Sequence, residues 1–389
     1  MRKSVTVPRA RAGDRLPRRW LGSAMGSAPA AGSVRARYLV YFQYVGTGFN
    51  GVAAVRGAQR AVGVQNYLEE AAERLNSVEP VRFTVSSRTD AGVHALSNAA
   101  HLDVQRRSGR PPFPPEVLTE ALNTHLRHPA IRVLRAFRVP GDFHARHAAT
   151  SRTYLYRLVT GCHRSDELPV FERNLCWALR ADRLDVASMQ EAAQHLLGTH
   201  DFSAFQSAGS PVPSPVRTLR RVSVSPGLAG PLVTPQESRK LQFWSLEFEG
   251  QSFLYRQVRR MTAVLVAVGL GALAPAQVKT ILESQDPLGK HQTRLAPAHG
   301  LFLKSVLYGS LGKNSGPKNG SAVCPLTAEA QSSRGKAQPS CHLARQESGH
   351  CPTRESRGGV GGPGASNWRS EVPQGCSPSA QPALPWSWE

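Results

Sequence analysis

One order of secondary-structure signals occurs twice along this chain, and it constrains the fold more than any other feature. Tyr38–Tyr44 is aromatic and β-branched, as a strand requires. Val64–Leu75 gathers Val64, Leu68, Ala71, Ala72 and Leu75 on one helical face. Val81–Val85 alternates Val, Phe, Val, and Asn98–Val104 follows as a further strand. Glu116–Leu126 places Val117, Leu118, Ala121, Leu122 and Leu126 together as a helix, and Ile131–Val139 alternates again. The order is β-α-β-β-α-β, the ferredoxin-like arrangement. It then recurs. Tyr154–Thr160 is a strand, and Asp185 caps a helix carrying Val186, Met189, Ala193 and Leu196. Leu219–Val224 and Phe243–Phe248 are strands. Gln257–Val268 is a helix with a shorter one around Val278–Leu282, and Leu301–Leu307 closes the series as a strand. An α+β protein of two tandem ferredoxin-like domains is expected, spanning 38–140 and 141–309.

Composition changes at both ends of this pair. Residues 1–37 carry nine Lys or Arg against one acid, a net +8, and read as a basic leader that fits a mitochondrial presequence. A cytoplasmic or nuclear protein with a basic arm is the alternative. Residues 310–389 are rich in Gly, Ser, Pro and Gln and have no apolar period, so they read as a low-complexity tail unable to build a core. Within the tail, Cys341-His342 and His350-Cys351 match no compact zinc spacing. The whole chain carries +21, and about +10 of that falls between the leader and the tail, where a folded domain would sit. Such a balance rewards a polyanionic partner through counterion release. Six scattered cysteines exclude a secreted disulfide scaffold. The most apolar run, Met261–Ala276, is too short to cross a membrane and is broken by Gly269, Gly271 and Pro275.

The sharpest local feature is Ser87-Arg88-Thr89-Asp90-Ala91-Gly92-Val93-His94-Ala95, between two expected strands. Gly92 permits a sharp backbone path. Asp90 is thereby presented on a loop, with Arg88 two residues away to keep its carboxylate ionised in a dry pocket. That suits a nucleophile or a base. An Asp-stabilised turn is the bland reading of the same string. An aspartic protease would need two Asp-Thr/Ser-Gly loops, and only Asp90-Ala91-Gly92 is present, with a different middle residue.

These residues resemble the signature of the TruA-type tRNA pseudouridine synthases. Further segments follow in family order: Phe143-His144-Ala145-Arg146 with Tyr154-Leu155-Tyr156, then Leu197-Gly198 through Asp201-Phe202 and Phe205. Arg217-Thr218-Leu219-Arg220, Phe253-Leu254-Tyr255-Arg256-Gln257-Val258-Arg259, and Gly300-Leu301-Phe302-Leu303 complete the set across roughly 38–308. The resemblance implies that the two domains join into one extended, mainly antiparallel sheet with a basic central cleft, and that tRNA or another structured RNA is the substrate. It implies that Asp90 is the catalytic carboxylate and that Arg88 occupies the space left by the flipped base. Tyr154 would stack on the target base, and Arg259 would pair with Asp90. It also implies a homodimer and a reaction without cofactor or metal. Two places depart from the pattern. Ser87 stands where the family usually has Gly, and Val52-Ala53-Ala54-Val55 stands where a Trp-Gln pair is common.

Other readings are weaker. The pairs His125/His128 and His144/His147 have metal-like spacing but no third ligand nearby, and fit packing or RNA contact better. Phe202, Phe205 and Phe253 read as core. A glycoside hydrolase would want a second carboxylate of comparable quality. The leading rival is a non-catalytic RNA-binding protein or RNA chaperone on the same fold, which would need the basic cleft but not Asp90.

Overall fold

The computed structural model describes residues 34–309, apart from 56, 58–61, 108, 163, 208–212 and 287–294. The readings of the leader through residue 33, of the tail and of its Cys-His pairs lie outside the described residues. The first half runs β1 (Arg35–Tyr44), α1 (Val64–Glu73), β2 (Thr84–Val85), β3 (His94–Gln105), α2 (Pro115–Leu126) and β4 (Ile131–Val139). The second begins with β5 (Ala149–Thr160), β6 (Trp177–Ala178), α3 (Val186–Gln194), β7 (Gly198–Asp201) and β8 (Val216–Pro226). It ends with the one-turn α4 (Pro235–Ser238), β9 (Gln242–Gly250), α5 (Gln257–Gly269), α6 (Pro275–Ser284) and β10 (Leu301–Tyr308).

The strands form one sheet in the order β4-β1-β3-β10-β5-β9-β8-β7, with β2 added to β3 and β6 to β5. Each half therefore has the same internal order, β4-β1-β3-β2 in the first and β10-β5-β9-β8 in the second. Every pairing within these quartets is antiparallel. The halves are joined by a short parallel pairing, Phe302 with His94 and Leu303 with Ala95. One core runs through both halves. It includes Phe42, Leu68 and Leu102 from the first, and Tyr156, Phe248 and Leu265 from the second. A small satellite holds Cys162 and Cys176, both free thiols. Burial pushes these thiols up to about 11 and about 12, so neither is a ready nucleophile.

The expected elements differ from the observed ones mainly in length. Strand β2 covers Thr84–Val85 rather than Val81–Val85 because α1 takes over its backbone partners. Glu69 accepts the Phe83 amide at 3.0 Å, and the Gln65 side chain donates to the Phe83 carbonyl at 2.8 Å. Strand β3 starts at His94 rather than Asn98 because its first residues pair with β10. The apolar run around Met261 divides into α5 and α6, and no helix among the described residues is long and apolar enough to cross a membrane. Phe202 and Phe205 are fully buried core residues, as their sequence context suggests. Phe253 is only partly buried and packs against the core cluster.

Candidate active site

The loop between β2 and β3 carries Asp90 and is held from both halves of the sheet. From below, the Tyr44 hydroxyl meets the Thr89 hydroxyl at 2.7 Å. Asn98 donates to the Ser87 carbonyl at 3.0 Å, closing a buried network under the loop. From the second half comes Arg152 on β5, itself buried. Its Nε donates to the Ser87 hydroxyl at 2.9 Å, and its terminal nitrogens reach the Ser86, Arg146 and Gln251 carbonyls. All of these acceptors are neutral. Burial lowers the Arg152 pKa, and the cation is tolerated because each of its guanidinium nitrogens meets an acceptor. The departure at Ser87 thus has a consequence, since a Gly there would offer Arg152 no hydroxyl. Gly92 then turns the chain with φ +77°, a left-handed value that favours glycine. The other departing segment is held by α1: Gln65 accepts the Ala54 amide, and Asn66 both accepts from and donates to the Val55 backbone.

Asp90 projects from this loop with about a fifth of its side chain accessible. Its partner is Arg259, in the first turn of α5, which donates from Nη1 to Asp90 Oδ2 at 3.0 Å. Arg259 is aimed by its other contact, Nε to the Ala296 carbonyl at 2.7 Å. A second guanidinium, Arg256, brings its Nε to 3.9 Å from the same carboxylate oxygen. Arg256 has φ 61° and ψ 11°, left-handed for a residue with a side chain, which costs about 1 kcal/mol or more. Its guanidinium lies over the Tyr255 ring, 4.7 Å from the centroid.

Tyr154, on β5 beside Phe248 and Leu303, is buried with its ring edge-on to Phe253, centroids 5.1 Å apart. Burial pushes its phenol up to about 12; the Arg152 charge opposes this and the Asp90 charge adds to it. The phenol stays protonated at neutral pH and supplies a neutral aromatic face beside the carboxylate.

The four residues singled out in the sequence are not equally assembled. Asp90 and Arg259 touch, and Tyr154 lies within electrostatic reach of Asp90. Arg88 is exposed and, among the described residues, has no ion pair with Asp90. The expectation that Arg88 is the guanidinium beside the carboxylate is corrected: Thr89 is pinned inward to Tyr44, and Arg88 turns to solvent. Arg259 and Arg256, some 170 residues along the chain, take that place. Arg256 lies within a family-like segment of the sequence but without an assigned role, and Arg152 went unmarked, because their places depend on contacts between distant segments.

The histidine pairs pack against aromatic and histidine rings. His144 lies between His101 and His147, with centroids 4.9 and 4.3 Å away. His128 lies against Tyr67 and Phe49. Among the described residues no group of three His, Cys, Asp or Glu converges as a metal set.

A doubled ferredoxin-like sheet with an arginine-paired aspartate at the seam between its halves defines this class of protein. The sequence matches the tRNA pseudouridine synthase family over residues 40–147 and 192–309, and the chain belongs to that family. It is 90% identical over 301 residues to "tRNA pseudouridine synthase-like 1" of Homo sapiens, covering 76% of this chain and 99% of the relative. It is 78% identical to the Mus musculus protein of the same name, covering 75% and 100%. It is 36% identical to "tRNA pseudouridine synthase A" of Paramagnetospirillum magneticum, covering 72% and 98%.

Proposed function

We propose that this protein isomerises uridine to pseudouridine in tRNA, with Asp90 as the carboxylate that acts on the ribose. The supporting observation is the Asp90–Arg259 pair, held at 3.0 Å in a chain that belongs to a pseudouridine synthase family. The target atoms of a stacked uridine are shielded, so the nucleotide must be extruded before reaction. Arg88, exposed and without an ion pair among the described residues, is suited to fill the vacated space in the RNA. Tyr154 is suited to stack on the extruded base. Asp90 then attacks C1′, to be displaced when C5 bonds there, or removes a ribose proton that it later returns. The N1–C1′ bond breaks, uracil turns over, and C5 bonds to C1′. The C5 proton is lost and N1 gains one. No electron is gained or lost overall, so the chain's own side chains suffice.

The test is Asp90→Asn, nearly the same shape but neutral. Affinity for tRNA should change by less than about tenfold, because one charge near phosphate is altered. Pseudouridine formation should fall below detection when sites are mapped in cells lacking the protein and rescued with either form. Equal restoration by both forms would remove Asp90 from the chemistry. Rescue of RNA function with no pseudouridine from either form would favour the binding-only reading.

The proposal extends to the protein's address and to its assembly. Seven basic residues against one acid in 1–33 favour mitochondrial import, while Arg35 and Arg37 belong to β1 and pair with Asp103; a diffuse signal from a reporter fused to 1–33 would reject that. The family resemblance favours a homodimer, and a monomer mass in sedimentation at micromolar protein would reject it.

A further inference from the structure

Resting on the activity proposed above, we infer that Arg256 is a second catalytic residue, the cation that meets uracil as it leaves the ribose. Both routes open to Asp90, attack at C1′ or removal of a ribose proton, break the N1–C1′ bond with its electron pair going to the base. The departing uracil is an anion, with charge spread over N1 and its two carbonyl oxygens. A group that stabilises this anion more than the bound uridine lowers the barrier directly.

Three observations single out Arg256. First, among the described residues its Nε has no hydrogen-bond acceptor and is closed to water, although 38% of the side chain remains accessible. A buried donor without an acceptor calls for an explanation. Second, the residue sits in the left-handed region, a conformation that glycine would adopt without strain. Strain of this kind persists where a side chain must be aimed. Third, its nearest carboxylate oxygen is Asp90 Oδ2, at 3.9 Å: close enough to mark the reaction centre, too far for a hydrogen bond.

The other arginines nearby are committed elsewhere or turned away. Arg259 spends Nε on Ala296 and Nη1 on Asp90. Arg260 donates its Nε to the Ser207 hydroxyl at 3.0 Å. Arg152 engages all three of its guanidinium nitrogens beneath the loop. Arg88 is exposed. Arg256 combines proximity to Asp90 with an unsatisfied donor, and its stacking on Tyr255 steadies the guanidinium plane.

The experiment uses the full chain, a pool of unmodified tRNA transcripts, and single-turnover rates at saturating enzyme. Arg256→Gln should lower the rate about 100-fold, the loss typical for removing one preorganised donor to a developing anion. Its tRNA affinity should stay within about threefold of wild type, because ground-state contacts are untouched. Arg256→Lys should recover part of the rate. Arg256→Gly should lose the rate while matching or exceeding the wild-type melting temperature, since it relieves the backbone strain; this separates catalysis from folding. The deciding arm replaces uridine by 5-fluorouridine in the transcripts and follows loss of that nucleoside by mass spectrometry. Fluorine already stabilises the departing anion, so the defect of Arg256→Gln should shrink at least severalfold. An undiminished defect would overturn the proposal. So would weakened affinity with an unchanged saturated rate, which would make Arg256 a phosphate contact. A wild-type enzyme that converts no uridine would instead refute the activity on which the proposal rests.

Discussion

At the scale of single residues, the structure turns on polar side chains buried with a defined task. His101 is an example outside the site. It is 7% exposed, and its Nδ1 accepts the Ala145 amide at 3.1 Å, which requires the neutral ring. Burial, and then the charges of Arg37 and His144, lower its pKa to about 4, while Asp103 opposes them. An unfolded histidine titrates near 6.5. Between these values the unfolded chain binds a proton that the folded chain refuses, so stability is intact above about pH 6.5 and declines as pH falls toward 4. The slope is at most about one proton, or 1.4 kcal/mol per pH unit. His101→Gln, which can still accept the Ala145 amide, should flatten that part of a melting-temperature profile; superimposable profiles would refute the assignment. At this scale the sequence was legible where a motif carried the residue, as at Asp90, Tyr154 and Arg259. It gave Arg152 and Arg256 no role. The alternation of β5 says only that Arg152 shares a face with Tyr154. That this face meets Ser86 and Ser87, some 65 residues earlier, is a tertiary fact.

At the scale of elements, β4 shows how the sheet ends. It lies at one edge and exposes Arg132, Leu134, Arg135, Phe137 and Arg138. An edge strand offers unpaired backbone to other chains. Asn123 on α2 blocks this one near its start: its Oδ1 accepts the Val133 amide at 2.9 Å, and its Nδ2 donates to the Val133 carbonyl at 2.8 Å. The side chain mimics a neighbouring strand, and the arginines discourage a real one. Asn123→Ala should cost about 1–2 kcal/mol, because two hydrogen bonds are lost where water can partly replace them. It should also raise self-association in light scattering at high salt, where arginine repulsion is screened. A variant as stable and as dispersed as wild type would show that α2 covers the edge without Asn123. The element order could be read in advance because each long strand and helix has its own period. The two-residue β6 and four-residue β7 carry no such period and exist only through their partners Leu158–Val159 and Leu219–Val216.

At the scale of the whole molecule, the two halves are each complete as a β-α-β-β-α-β sheet, yet the Asp90–Arg259 pair belongs to neither alone. Asp90 comes from the first half, four residues before the parallel pairing at His94. Arg259 comes from the second, and its Nε is fixed by the Ala296 carbonyl just ahead of β10. Small movements of the segment 296–300 should therefore reach the carboxylate–guanidinium geometry. Gly300 allows a test. A Cβ there would stand 2.6 Å from the Tyr156 ring. That ring cannot easily yield, since its hydroxyl donates to the Pro297 carbonyl at 2.7 Å and the residue is fully buried. Gly300→Ala should therefore displace the start of β10 and the chain leading to Ala296. Overpacking of this kind costs about 1–3 kcal/mol. A misplacement approaching 1 Å at reacting groups costs about 100-fold in rate. The expected signature is a kcat lowered far more than the melting temperature would suggest, with KM for tRNA little changed. The control lies at the other end of the same strand region, where a Cβ on Gly309 would make only an ordinary 3.7 Å contact with Thr150. Gly309→Ala should leave both rate and melting temperature near wild type. If the two substitutions behave alike, the seam between the halves does not set the geometry of the site.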